Sequence, residues 1–278
     1  MMMKVDVAEI ARNNGKKGTL EIKQQPVAKI EAVQYFKQLN KLTEAMRKDI
    51  REQLMPLVKS LESQYATDGY ADQITQLVAS LSLKYGNVTS LLAKQTAEAV
   101  VGSVASKNKK GFNASINKAV GVDLSNVLVD EGLNDFLEAQ VNKNVSLIKS
   151  IPDEYFKSIE TVVMNGTANG LRWEAIAREI GGIKDISSVN GKLQNRIKLI
   201  ARNEASNINA SINKRRQEQL GVEKFKWQTA QDERVRQSHA QINGNVYDWD
   251  SLPTVDGVKT SPGQPINCRC IAIPVIEL

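Results

Sequence analysis

Histidine is almost missing from this 278-residue chain: His239 stands alone, and Cys268 and Cys270 are the only thiols. Two cysteines make no disulfide framework. One imidazole argues against nuclease sites built from several histidines around a metal. Aromatic residues reach only 5%, so the core has to come from Leu, Ile, Val and Ala, which favours packed helices over a large β-sandwich. No apolar run approaches the ~18 residues of a membrane span. Met1–Asp6 has neither the apolar core nor the small-residue cleavage site of a signal peptide, and synthesis in a reducing cytoplasm is expected. There is no Gly-x-Gly-x-x-Gly, no Gly-Lys-Ser/Thr phosphate loop and no Gly-x-Ser-x-Gly elbow, so neither nucleotide hydrolysis nor a Ser-His-Asp triad is indicated. Aromatics do not interleave with basic residues as they do in single-strand binding platforms.

What is present suits a soluble helical protein with room for two domains. Hydrophobic residues make up 41% and charged residues 24%, and the net charge of +6 favours acidic partners or nucleic acid. Ile30, Val33, Phe36, Leu39, Leu42, Met46, Ile50, Leu54, Leu57 and Leu61 recur at threes and fours, predicting a helix that Pro56 kinks or breaks near Met55. Thr67-Asp68-Gly69 reads as a turn. Helical spacing resumes from Tyr70 to about Ala105, with Tyr85-Gly86-Asn87 a possible interruption and Lys107–Gly111 a basic loop. Ile151-Pro152-Asp153-Glu154 reads as a helix start. Trp173–Ile180 is a short helix closed by Gly181-Gly182. A long basic helix follows from about Ser188 to Leu220, stopped by Gly221. Along it Lys198, Arg202, Lys214, Arg215 and Arg216 are candidate DNA contacts, with part of that charge paired locally to Glu204 and Glu218.

Beyond Gly221 the period changes. Lys224–Trp227 and Val246–Trp249 read as strands about the Asn243-Gly244 turn, and Cys270–Val275 as an edge strand because of Pro274. Two residues apart on a strand, Cys268 and Cys270 would project to one face. With His239 they offer three ligands of the right kind for zinc, and Asp232 or Asp256 is available as a fourth; small buried thiols are the competing expectation. Asp232, Arg234, Arg236 and His239 form a charged group that, if helical, would pair Asp232 with Arg236 and place Arg236 and His239 on one face. No cofactor is required by this pattern.

Taken in order, these motifs resemble the Mu F-like head morphogenesis (minor head protein) family of tailed bacteriophages. The resemblance runs through Ala201-Arg202, Asn213-Lys214-Arg215, Gly221 and Phe225-Lys226-Trp227. It continues through Asp232–His239, Asn243-Gly244, Pro262-Gly263, Asn267-Cys268-Arg269-Cys270 and Pro274-Val275. Two positions depart from the family pattern: Ser261 stands where a histidine is common before Pro-Gly, and Asn203-Glu204-Ala205 stand where Asp-Gln-Thr often follows the helix arginine.

The resemblance implies an α+β protein, with a helical region over 1–150 making portal, capsid or DNA contacts and a Mu F-like domain over 151–278. It implies a non-enzymatic virion component inside the head near the portal, made in the host cytoplasm. Its partners would be the portal protein, the major capsid or scaffolding protein and double-stranded DNA, with no membrane. Arg202, Trp227, Asp232, Arg234, Arg236, His239, Gly244, Cys268, Arg269 and Cys270 would chiefly hold the domain's fold. The alternatives are an injected effector or enzyme using His239 with Cys268 and Cys270, and a zinc-stabilised nucleic-acid-binding module.

Overall fold

The structure, a computed structural model, describes residues 5–22, 28–65, 70–124 and 133–278. The turn read at Thr67-Asp68-Gly69 and the first methionines lie outside the described residues. The fold is α+β, as expected. Helices α1 (Val7–Asn13) and α2 (Lys29–Asp49) flank strand β1 (Thr19–Glu21) and are followed by α3 (Met55–Ser60), α4 (Tyr70–Val120), α5 (Asn134–Ala168), α6 (Trp173–Ile180) and α7 (Val189–Gln219). The C-terminal part adds β2 (Lys224–Gln228), α8 (Gln237–Gln241), β3 (Val246–Asp248), β4 (Thr254–Val255), β5 (Val258–Lys259) and β6 (Ile271–Glu277). No helix among the described residues is long and apolar enough to cross a membrane.

The chain packs into two units that cross the boundary read at residue 150. One contains Met1–Ala32, Ala99–Gln140 and Arg202–Leu278; the other contains Val33–Glu98 and Val141–Ala201. In the second, Pro56 leaves its mark on the turn before it. A proline ring crowds the carbonyl four residues back and offers no N–H, and Ile50–Leu54 widens into a π-helical turn in which the Met55 amide reaches the Ile50 carbonyl. Tyr85 stacks on Phe156 with ring centroids 5.7 Å apart, and Tyr155 Oη donates to Asn190 Oδ1 at 2.9 Å. Gly181 ends α6 with φ 59°, the left-handed geometry a glycine cap supplies.

Pro152 does not start a helix. It lies inside α5, whose buried face continues across it through Ile148, Ile151, Tyr155, Phe156 and Ile159. An interior proline costs a helix about 3 kcal/mol, and burying such side chains returns about 1.5–3 kcal/mol each. The same trade explains α4, which runs unbroken through Tyr85-Gly86-Asn87 and through the expected basic loop at Lys107–Gly111. Lys107 Nζ pairs with the buried Glu31 carboxylate at 3.1 Å. Asn108 turns inward, donating to Asn209 Oδ1 at 2.8 Å and Asn213 Oδ1 at 2.6 Å on α7.

In the first unit a four-stranded antiparallel sheet has the order β1-β6-β2-β3. The strand carrying Pro274 is therefore central, not an edge, because β1 pairs its outer side with Thr19 opposite Glu277 and Glu21 opposite Val275. The Ile22 amide donates to the Pro274 carbonyl at 3.2 Å. A residue's N–H and C=O share one side of a strand, so proline's missing donor faces the end of β1, where the ladder stops. The N-terminal residues thus supply a helix and a strand. Val7, Ala11 and Ile22 are buried with Phe112, Ile116, Leu220 and Ile276 in one apolar cluster. A second cluster holds Phe225, Trp227, Trp249, Val255, Cys268, Cys270 and Ala272.

Phe225, fully buried with its ring 4.2 Å from that of Trp249, anchors the second cluster. Phe225→Ala should cost about 3–5 kcal/mol, read as a fall in the urea midpoint followed by tryptophan emission. Leu91→Ala, on a side chain 80% exposed, should stay within about 0.5 kcal/mol.

Candidate functional site

Three elements converge beneath Trp227. Strand β2 alternates half-buried and buried side chains, placing Phe225 and Trp227 inward. The short helix α8 carries His239 on its inner side, 2% exposed. The segment before β6 brings in Cys268 and Cys270, both reduced and buried. The Trp227 indole stands edge-on to the imidazole, with ring centroids 5.4 Å apart and an interplanar angle of 84°.

His239 Nδ1 faces both sulfurs, 3.4 Å from Cys270 Sγ and 3.6 Å from Cys268 Sγ. Cys268 Sγ also accepts the backbone N–H groups of Gly263 and Cys270, each at 3.4 Å. The Cys270 thiol donating to it, then those two amides, draw the Cys268 thiol well below its ordinary pKa. Sharing that proton, and burial, push Cys270 up. On the far side of the ring, buried His239 Nε2 has no hydrogen-bond partner among the described residues and lies 4.0 Å from Asp256 Oδ2.

The loop ahead of the cysteines is held to α7. Ser206 Oγ donates to the Cys268 carbonyl at 3.2 Å, and Gln264 Nε2 donates to Ser211 Oγ at 2.9 Å. Gly263 has φ +85°, and a Cβ there would stand 2.7 Å from Ala210 Cβ. Only glycine gives this loop both the left-handed turn and the close approach to α7.

The charged residues surround the cluster without forming the helical pairs expected of them. Residues 232–236 are not helical, and Arg236 is the residue before α8, with extended backbone. Asp232 is gripped by the Arg269 guanidinium through two hydrogen bonds and pairs with Arg234 at 3.2 Å. Arg269 first, and Arg234 in addition, hold the Asp232 carboxyl far below the usual carboxylate range. Arg236 donates to the Ile266 carbonyl at 2.7 Å, and Arg202 donates to Asn267 Oδ1 at 2.5 Å. Gly244, with φ +88°, closes the turn through its N–H to the Trp227 carbonyl at 2.7 Å.

Neither aspartate weighed as a fourth ligand reaches the thiols: Asp232 is taken up by the arginines, and Asp256 faces the wrong ring nitrogen. Among the candidate DNA contacts, Arg216 is 1% exposed and belongs to the interior. Lys214 lies 5.3 Å over the Trp249 ring and Arg215 lies 4.6 Å over the Phe136 ring. Lys198, Arg202 and Arg215 are exposed.

Sequence reasoning missed the amides that lock this region. Gln217, fully buried, accepts from Trp249 Nε1 at 3.1 Å and donates to the Ala272 carbonyl at 3.3 Å. Asn243 Oδ1 accepts both the amide and the hydroxyl of Thr229. The available signal was an inward spacing of Asn209, Asn213 and Gln217 on a helix whose apolar stripe they extend.

A central site of buried thiols and imidazole, tied by arginines and amides to a long helix, defines a domain built around its motif residues. Residues 157–273 match the family described as Phage Mu protein F like protein. The matched segment contains α7, the sheet strands β2 and β3, and the whole His239–Cys268–Cys270 cluster. Over 276 residues it is 27% identical to an uncharacterized protein of Haemophilus influenzae (strain ATCC 51907 / DSM 11121 / KW20 / Rd). That alignment takes in 99% of this chain and 60% of the relative, so the chain spans about three fifths of that protein's length. No solved structure matches it.

Two outcomes test this arrangement. Gly263→Ala should destabilise by more than about 1 kcal/mol, since it forces a side chain into a left-handed, crowded position; chemical denaturation reads it. For Asp232→Asn the pH dependence carries the sign. A carboxylate depressed in the folded state stabilises fully above its unfolded pKa of about 4 and loses that contribution as pH falls through its folded value. The gap in melting temperature between wild type and variant should be constant from about pH 5 to 8 and close below pH 4.

Proposed function

We propose that this protein is a minor component of a tailed-phage or prophage head, held inside the capsid near the portal. It acts in head assembly and in the packaging or ejection of DNA. The observation that carries this reading is the Mu F-like domain over residues 157–273. Portal, major capsid and scaffolding proteins are the partners that such a place supplies.

The domain's geometry suits a non-enzymatic, structural role. Its motif residues are spent on one another: Asp232 on Arg269 and Arg234, Arg236 on a backbone carbonyl, Arg202 on Asn267. The imidazole is buried among thiols and aromatic rings, and among the described residues no hydroxyl nucleophile is hydrogen-bonded to it. The positive charge that packaging or ejection would use lies in Lys214 and Arg215, in the last turns of a helix whose buried face is amide-rich.

A tagged copy followed through an infection or an induced prophage tests the placement. The protein should sediment with portal-containing procapsids and be lost from particles assembled without portal. Its absence from purified heads would refute the reading. If Lys214 and Arg215 touch DNA, replacing both with Glu should weaken double-stranded DNA binding and flatten its dependence on salt.

A further inference from the structure

We infer that His239, Cys268 and Cys270 bind one zinc ion, with its fourth coordination position open to the small cavity beside them. This goes beyond the head-assembly reading and does not rest on it.

The convergence of the three ligand atoms is the first observation. His239 Nδ1 and the two sulfurs all lie within 4.8 Å of one another, and the two sulfur-to-nitrogen separations are 3.4 and 3.6 Å. A tetrahedral zinc with Zn–S of about 2.3 Å and Zn–N of about 2.0–2.1 Å sets its S···N ligand edges at about 3.6 Å and its S···S edge at about 3.8 Å. A neutral Nδ1 has one lone pair and can accept only one S–H. Two sulfurs at nearly equal distance from it describe a triangle around a shared centre better than a single hydrogen bond.

The surroundings prepare two of the three ligands, Cys268 and His239, in the state a metal needs. Cys268 Sγ receives two backbone N–H groups, from Gly263 and Cys270, which is the solvation a thiolate requires inside a protein. His239 Nε2, buried and without a hydrogen-bond partner among the described residues, lies 4.0 Å from Asp256 Oδ2. The charge of that carboxylate, beyond hydrogen-bond distance, favours the proton on Nε2 and so Nδ1 as the ligand atom. Mixed imidazole and thiolate donors select zinc over calcium or magnesium.

The fourth position is not filled by a side chain of the cluster. A cavity of about 80 Å³ abuts His239, Cys268 and Cys270 and is lined on its other side by Arg234, Arg236 and Arg269. It has room for solvent, and water or hydroxide is the ligand it would supply.

Metal analysis of the full-length protein, purified under reducing conditions in zinc-containing medium, tests the site. One zinc per chain is expected by native mass spectrometry, falling to none in Cys268→Ser and Cys270→Ser variants shown by circular dichroism to be folded. Asp256→Asn should keep the stoichiometry and weaken zinc affinity by no more than about 10-fold, the low end for an outer-shell group. Cobalt added to metal-free protein should give thiolate-to-cobalt charge-transfer bands and the strong visible bands of four-coordination, which shift with azide if the fourth position is open. A folded wild-type chain that carries no zinc, shows no such bands and has two freely titrating thiols would overturn the assignment. A cobalt spectrum indifferent to azide would overturn the open fourth position.

Discussion

The packing of two small thiols against one imidazole under Trp227 is the constraint on which the C-terminal part of the molecule depends. Phe225, Trp227 and Trp249 supply the bulk of this core, and close, directional contacts complete it. His239 docks α8, which otherwise has only five residues to hold it. Cys268 holds the Gly263 turn, and Cys270 leads directly into the central strand β6. Each of these elements is too short to persist without that meeting point.

Around this centre, polarity is handled by amides inside and ion pairs outside. Asn108, Asn209, Asn213 and Gln217 are buried with hydrogen bonds between α4, α7, β6 and Trp249. Buried polar groups are tolerated when each finds a partner, and such networks fix one packing over others. Outside, Asp232 bridges Arg269 and Arg234 at the mouth of the small cavity. The basic helix therefore has two characters: an amide-rich inner face that builds the domain, and an outer face on which Lys198, Arg202 and Arg215 are exposed.

The helices and their stops were largely legible. The apolar spacings of α6 and α7 survive folding, as does that of α2 from Leu39 on, and so do the glycine stops at Gly181 and Gly221, because local backbone preference and burial agree there. At the start of α2 Ile30 and Val33 are exposed, and Glu31 and Tyr35 are buried instead. The expectations that failed did so where burial outweighed a local signal. Pro152 and Gly86 lie within helices because the buried faces on either side of them are continuous, and Lys107 does so with Glu31 as its partner. The cluster of His239, Cys268 and Cys270 was legible as residue types. That one ring nitrogen faces both sulfurs, and that Asp256 stands behind the other, was not.

Periodicity, capping and the ordered motifs belong to the chain itself, because they depend on residues within a turn or two of one another. They determined the α+β class, the long basic helix and the resemblance to a phage head family. Tertiary structure alone decided that β1 covers β6, that Arg216 is interior, and that Gln217 joins Trp249 to the sheet. These pairings join residues from tens to more than two hundred positions apart. No local propensity encodes such separations; they are settled by which surfaces can be buried together with most of their polar groups paired.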